Sequence, residues 1–398
     1  MNQIGIIGSG AMGAGIAQIA ATAGHEVIIY DNDQAALGRA KDNLSSTLKK
    51  LVEKQKITEQ AAAEITGRTK YAADLKPFKD CKLVIEAIVE NLEVKQKVLS
   101  ELEAIVSADC ILATNTSSLS IASIAAVCKK PGRVIGIHFF NPAPLMPLVE
   151  IIPGIMTDNK VTEESKKIID SWKKITVLTK DTPGFIVNRV ARSFYGESIR
   201  IYEEGIADFA TIDWAMRTNG GFKMGPFELM DFIGNDINYK VTESVWTQFF
   251  YEPRFKPSLT QKRLYEAKLF GRKTGRGYYN YAEGAIMPEP LKDDELAKSI
   301  FYRVISMLIN EAVDSLYLGL ASAEDLDLAM TKGVNYPKGL LKWADELELP
   351  NILGILTALH TEYNEERYRP SVLLKRMVKE NRSFYPRNDL PEGKRVIV

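Results

Sequence analysis

The 398-residue chain is poor in cysteine and histidine, with three of each, and it carries no excess charge, 51 basic residues balancing 51 acidic ones. Cys81, Cys110 and Cys128 are odd in number and show neither metal-ligand nor Cys-x-x-Cys spacing. That argues against a disulfide framework or a metal centre and predicts small buried side chains in a reducing compartment. Balanced charge excludes a general attraction to nucleic acid or to an anionic membrane surface. No apolar run is long enough to cross a bilayer. The first apolar strand begins about three residues in, which leaves no room for a signal or transit peptide. The closing Val-Ile-Val is not a peroxisomal address. A cytoplasmic location is expected, and the length suggests two or three domains.

What is present begins at once. Ile4-Gly5-Ile6-Ile7 runs into Gly8-Ser9-Gly10-Ala11-Met12-Gly13, and an Ala- and Ile-rich helical pattern follows. This is Gly-x-Gly-x-x-Gly between a strand and a helix. Gly8 permits the tight turn, Gly10 lets backbone approach a pyrophosphate, and Gly13 lets the helix pack on the strand, with the phosphates at the helix N-terminus. A second strand, Glu26–Tyr30, ends at Asp31, where a dinucleotide site needs an acid for the ribose hydroxyls. A carboxylate there repels a 2′-phosphate, and Asn32 and Asp33 supply no cation. The expected cofactor is NAD rather than NADP.

The next stretch is helical and basic, with Lys41, Lys49, Lys50, Lys54 and Lys56, and Thr58 caps the helix after it. These lysines fit a solvated face or a dock for an anionic ligand. A third strand, Lys82–Ile88, leads to Glu90 and Lys95. If it runs parallel to the first, both residues sit near the cofactor; otherwise they read as a helix-start acid and an exposed lysine. A fourth strand, Cys110–Thr114, delivers Asn115-Thr116-Ser117-Ser118 to the same edge, where one hydroxyl should cap the helix beginning near Leu119.

Of the three histidines, only His138 stands at the carboxyl end of a strand, before Phe139-Phe140-Asn141-Pro142. Glu150 is embedded in the next apolar strand, and a buried acid needs a partner. His138 is the economical one, and such a pair moves a proton while NAD takes a hydride.

A strand at Ile175–Thr179 and the linker Asp181-Thr-Pro-Gly184 close the first domain. The rest is helical and repeats itself. A shift of 114 residues aligns Arg189 with Arg303, Glu197 with Glu311, Asp213 with Asp327, Gly225 with Gly339 and Asp231 with Asp345. Residues 183–281 and 296–398 therefore read as two copies of one module, following residues 1–182. Asn188, unassigned by pattern, aligns with Tyr302.

Together these motifs, with PGFIVNR, GPFELMD and GRKTGRGYY, resemble the 3-hydroxyacyl-CoA dehydrogenase family over residues 1–281, and 296–398 looks like the duplicated module of its longer members. The resemblance implies an α/β Rossmann-type doubly wound sheet followed by two tandem all-α domains. It implies an NAD-dependent dehydrogenase of (S)-3-hydroxyacyl-CoA, with Ser117, His138, Glu150 and Asn188 on catalytic positions. Asp31, Glu90, Lys95, Asn141 and Lys273 fall on NAD positions, with Ser117 close to the nicotinamide, and Thr47 and Lys54 fall on CoA contacts. It implies an acyl-CoA substrate, and a monomer through internal duplication or a homodimer. Two rivals share the scaffold: a sugar-acid dehydrogenase of gulonate type, and a non-catalytic NAD-binding protein.

Overall fold

The computed structural model describes residues 2–386 and divides into two compact units, Met1–Phe185 and Ile186–Val398. In the first, the elements run β1 Gln3–Ile7, α1 Ala11–Thr22, β2 Glu26–Tyr30, α2 Gln34–Glu53, α3 Glu59–Arg68, β3 Thr69–Ala72 and β4 Leu83–Glu86. They continue with α4 Leu92–Glu103, β5 Ile111–Thr114, α5 Ile121–Ala125, β6 Val134–Phe139, β7 Leu148–Pro153, α6 Asn159–Ser171 and β8 Ile175–Leu178. Among the described residues the eight strands make one sheet in the order β3-β2-β1-β4-β5-β6-β7-β8. The first six are parallel, and β7 turns antiparallel against β6. This is a doubly wound, Rossmann-type sheet with an added edge.

Helices cover both faces, so the central strands are apolar on both sides. Val27 and Ile29 enter one core while Ile28 enters the other, and Leu83 and Ile85 are likewise opposed to Val84. That alternation follows from the period of two along a strand. Cys81, Cys110 and Cys128 are all buried in the second core, and burial pushes their thiols up to about 12, 12 and 11. β3 was not foreseen. Thr69-Lys70-Tyr71-Ala72 is a four-residue strand at the sheet edge, too short and too polar to show as an apolar run.

The second unit is helical: α7 Val187–Val190, α8 Arg192–Glu203, α9 Phe209–Gly220, α10 Pro226–Ile233, α11 Asn235–Gln248, α12 Leu259–Glu266, α13 Asp294–Tyr317, α14 Ala323–Gly333, α15 Leu340–Glu346, α16 Leu349–Tyr363 and α17 Val372–Lys379. Residues aligned by the 114-residue shift make the same contacts twice. Asp213 accepts from the amides of Phe227 and Glu228, and Asp327 from those of Leu341 and Lys342. A Cβ on Gly225 would collide with Asp213, and one on Gly339 with Asp327.

Across the two copies the contacts are reciprocal. Arg189 Nε meets Glu311 at 2.6 Å, and Arg303 Nε meets Glu197 at 2.7 Å. Each arginine thus pairs with the glutamate of the other set, the reciprocity of a self-complementary contact. The match persists to Tyr279 and Tyr385, whose phenols reach Asp213 and Asp327. By then the spacing has shortened to 106 residues, so the 114-residue register, which holds as far as Asp231 and Asp345, gives way to a shorter one. Residues 387–398 of the expected second copy lie outside the described residues. No helix among the described residues is long and apolar enough to cross a membrane.

Candidate active site

The carboxyl ends of β1, β2, β4, β5 and β6 deliver the candidate residues of the first unit, because parallel strands end on one edge. At the glycine turn the three glycines differ in what they tolerate. Gly8 has φ +99°, the left-handed region, and a Cβ there would lie 2.5 Å from the Ala87 carbonyl. A Cβ on Gly13 would lie 1.9 Å from the Gly8 carbonyl, so α1 seats on the turn only without a side chain. A Cβ on Gly10 would meet nothing within 4 Å. Gly10 is also the N-cap of α1, and no side chain caps that end, which leaves first-turn amides to an anion.

Asp31 is fixed beside this turn. Its carboxylate accepts from the Ser9 amide at 2.7 Å, the Ser9 hydroxyl at 2.8 Å and the Asp33 amide at 3.0 Å. Partial burial works against ionisation, but these hydrogen bonds outweigh it and hold the carboxyl below its ordinary value. An ionised acceptor next to uncapped amides and an open glycine fits the ribose and pyrophosphate of a dinucleotide.

β4 runs parallel to β1, so Glu90 and Lys95 lie on the same edge. Lys95 is not the exposed helical lysine that local pattern allowed: it is 1 % exposed. Its ammonium meets Glu86 at 2.7 Å and Glu90 at 3.2 Å. Glu86 was missed. It is fully buried and also accepts from the Thr114 hydroxyl at 2.7 Å. The available signal was an acid inside the apolar run of β4, the same signal that singled out Glu150. Glu90 accepts from the Thr116 hydroxyl at 2.5 Å and from the amides of Ser117 and Ser118 at 3.0 and 3.1 Å. Burial pushes Glu90 up, but Lys95 and the hydroxyls of Thr116 and Ser118 bring it below its ordinary value.

Glu90 therefore shapes the turn that presents Ser117, which is partly exposed. The expected cap lies elsewhere. Helix α5 starts at Ile121 with Ser120 as N-cap, and Asp181 accepts from the Ile121 and Ala122 amides. Thr116 instead serves its own turn, accepting from the Leu119 amide. Asn115 ties β5 to β6 by accepting from the Phe139 amide at 2.8 Å.

His138 and Glu150 come together as expected. They are directly opposed across the β6–β7 ladder, and Nδ1 lies 2.6 Å from Glu150 Oε2. His138 is 6 % exposed and Glu150 fully buried. The imidazole is flanked by Phe140 and Phe185, with ring centroids 4.5 and 5.8 Å away. A carboxylate only accepts, so Nδ1 carries the proton in this bond and Nε2 keeps the lone pair. Such an imidazole takes a proton at Nε2, and the carboxylate stabilises the resulting cation.

The remaining candidates are not brought to this group within the first unit. Asn141 is exposed in the loop after β6. Thr47 and Lys54 are exposed on α2 and at its C-cap, about 10 Å apart along the axis. Asn188, partly exposed on α7, and Lys273, paired with Asp236 at 2.5 Å, belong to the second unit.

Comparison with known proteins settles the affiliation. The NAD-binding domain model of 3-hydroxyacyl-CoA dehydrogenase matches residues 3–182, and the C-terminal domain model of the same enzyme matches 184–281 and again 300–385. The chain belongs to the 3-hydroxyacyl-CoA dehydrogenase family. A 3-hydroxyadipyl-CoA dehydrogenase of Escherichia coli is 37 % identical, over 94 % of this chain and 96 % of the relative. The human mitochondrial hydroxyacyl-coenzyme A dehydrogenase is 38 % identical, over 71 % and 91 %. A crystal structure of 3-hydroxybutyryl-CoA dehydrogenase from Escherichia coli K12 superposes with a TM-score of 0.89 at 36 % identity, covering 95 % of this chain and 98 % of that one. The protein is thus an oxidoreductase that uses NAD to oxidise 3-hydroxyacyl-CoA.

Proposed function

We propose that His138 and Glu150 are the acid–base pair of this reaction, and the 2.6 Å bond between them is the observation that carries the assignment. NAD, when bound, accepts the hydride from C3 of the substrate. His138 Nε2 takes the proton of the 3-hydroxyl, and Glu150 holds the ring and stabilises its charged form. In the reverse direction the imidazolium returns that proton. Ser117, presented by the Glu90-bound turn, positions a substrate oxygen near the nicotinamide. For Asn188 the family resemblance supports a matching role in positioning substrate, and for Asn141 and Lys273 a role in binding NAD.

Asp31 selects NAD through the ribose, with Glu90 and Lys95 completing that side. The proposed substrate is a short 3-hydroxyacyl thioester, the part shared by the hydroxybutyryl and hydroxyadipyl groups named for its relatives. Thr47 and Lys54 offer a hydroxyl and a cation to CoA, whose phosphates need positive charge. Reciprocal pairing of the two helical copies supports residues 183–281 and 296–398 as separate modules after 1–182, and a monomer in which the second copy stands in for a partner. Three buried cysteines fit a reducing cytoplasm.

The test is His138→Gln. NADH binding, read by fluorescence, stays near wild type while kcat falls by about 10²–10⁴. Loss of NADH binding instead would make His138 a structural residue.

A further inference from the structure

Among the described residues of the second unit, one buried arginine has no carboxylate partner. Arg192 is the first residue of α8 and is 7 % exposed. Its guanidinium is held by neutral groups: Nη1 donates to the Thr242 hydroxyl at 3.2 Å and, weakly, to the Asn238 carbonyl at 3.5 Å. It also lies over the Tyr195 ring, 5.0 Å from the centroid. The ionisable groups acting on it are the phenols of Tyr195 and Tyr336, and burial pulls its proton affinity down. Among the described residues every other arginine buried to a similar degree in this unit, Arg189, Arg254 and Arg303, pairs with a carboxylate.

The neighbourhood holds other unused donors. Arg192 Nε and the hydroxyl of Tyr336, one of the two phenols acting on the guanidinium, are both buried and without a hydrogen-bond partner. A buried guanidinium lacking an anion is costly, and a set of orphaned donors around it adds to that cost. A planar carboxylate satisfies both, because it accepts bidentately from a guanidinium and has lone pairs left for the Tyr336 hydroxyl.

Position says which carboxylate. Arg192 follows Asn188 by four residues, and Ala191 between the two helices keeps right-handed helical dihedrals, φ −68° and ψ −12°. Both side chains therefore lie on one face, about 6 Å apart along the axis. In a six-carbon acyl chain C6 lies roughly 4 Å from C3, and an arginine side chain covers the remainder.

We propose that Arg192, with Tyr336, binds a carboxylate at the far end of the substrate's acyl chain, so that carboxylate-ended 3-hydroxyacyl-CoA is the preferred substrate class. The assignment rests on the dehydrogenase reading and on the place of Asn188 in it. Arg192 acts on binding and selection, not on the proton or hydride steps.

The experiment compares kcat/KM for 3-hydroxyadipyl-CoA and 3-hydroxyhexanoyl-CoA, which share six carbons and differ only at C6. Wild type is expected to prefer the carboxylate-ended ester by about tenfold or more. Arg192→Met brings the ratio close to one, Arg192→Lys restores part of it, and Tyr336→Phe, which removes a hydroxyl only, gives an intermediate ratio. A wild-type ratio near one overturns the assignment, as does an equal fall for both esters in Arg192→Met. Acceleration of the methyl-ended ester by free glutarate would also overturn it, since the site would then serve a separate anion. Absence of NAD-linked turnover with either ester would overturn the dehydrogenase reading itself.

Discussion

His138 and Glu150 stand opposite each other on antiparallel neighbours, with Nδ1 2.6 Å from Oε2. Strand register puts the two side chains opposite each other on one face of the sheet, and a one-residue slip would send them to opposite faces. In Glu150→Gln the amide oxygen still accepts from Nδ1 but no charge balances the imidazolium. We expect kcat to fall by about 10²-fold with a smaller change in KM. Thermal unfolding should move little, because a buried charge has been replaced by a neutral isostere. Equal loss of stability and activity would contradict the electrostatic role.

The glycine turn yields a contrast between packing and ligand approach. Gly13→Ala places a methyl 1.9 Å from the Gly8 carbonyl and should destabilise the first unit, lowering its melting temperature. Gly10→Ala meets no protein atom within 4 Å, so the fold should be retained while NADH binding weakens. Calorimetry with an NADH titration separates the two. Normal NADH affinity in Gly10→Ala would place the pyrophosphate elsewhere.

Glu90 links pH to the site. Its carboxyl is held below the ordinary value of 4.5, mainly by Lys95 and the Thr116 and Ser118 hydroxyls acting against burial. A depressed acid stabilises the folded state above its ordinary pKa, and that contribution is lost as pH falls through the folded value. Glu90→Gln should therefore melt below wild type at neutral pH, with the gap closing below pH 4.5. A gap that persists unchanged at acid pH would show that shape, not charge, is what Glu90 supplies.

The reciprocal ion pairs of the helical unit are not equal in their reserves. If Arg189 is lost, Glu311 keeps Arg254 at 2.8 Å. If Arg303 is lost, Glu197 keeps the Tyr368 hydroxyl at 2.7 Å and Arg200 only at 3.6 Å, and Glu204 keeps the Tyr363 hydroxyl at 2.8 Å and Arg367 only at 3.9 Å. Arg303→Met should cost about 3–5 kcal/mol in urea unfolding, more than Arg189→Met. Adding Glu197→Met to Arg303→Met should recover part of the loss. The reverse order of the two single variants would show that the copies do not bear on each other as the ion pairs indicate.

Much of this was legible in the sequence because the signals were local. Three glycines between a strand and a helix, and an acid ending the second strand, specify a dinucleotide cradle from a stretch of thirty-one residues. Glu150 was legible because an acid in an apolar strand demands a partner and few histidines were available. Lys95 was not, because the acid that buries it, Glu86, lies across a strand–helix connection and looked like part of an apolar run. β3 carries too little apolar surface to announce itself. Asn188 came from family resemblance alone. Arg192 was silent, since a basic residue in a helix reads as surface until its burial and its neutral partners are seen.

The central claim is NAD-linked oxidoreduction of a 3-hydroxyacyl thioester, and the most direct measurement is NADH consumption on acetoacetyl-CoA beside NADPH and beside free acetoacetate. Asp31 and the lysine-bearing helix α2 predict fast turnover only when NADH and the CoA ester are both present. Turnover of free acetoacetate, or equal use of NADPH, would contradict the account at those residues. Tight NADH binding without turnover of the ester would contradict it at His138.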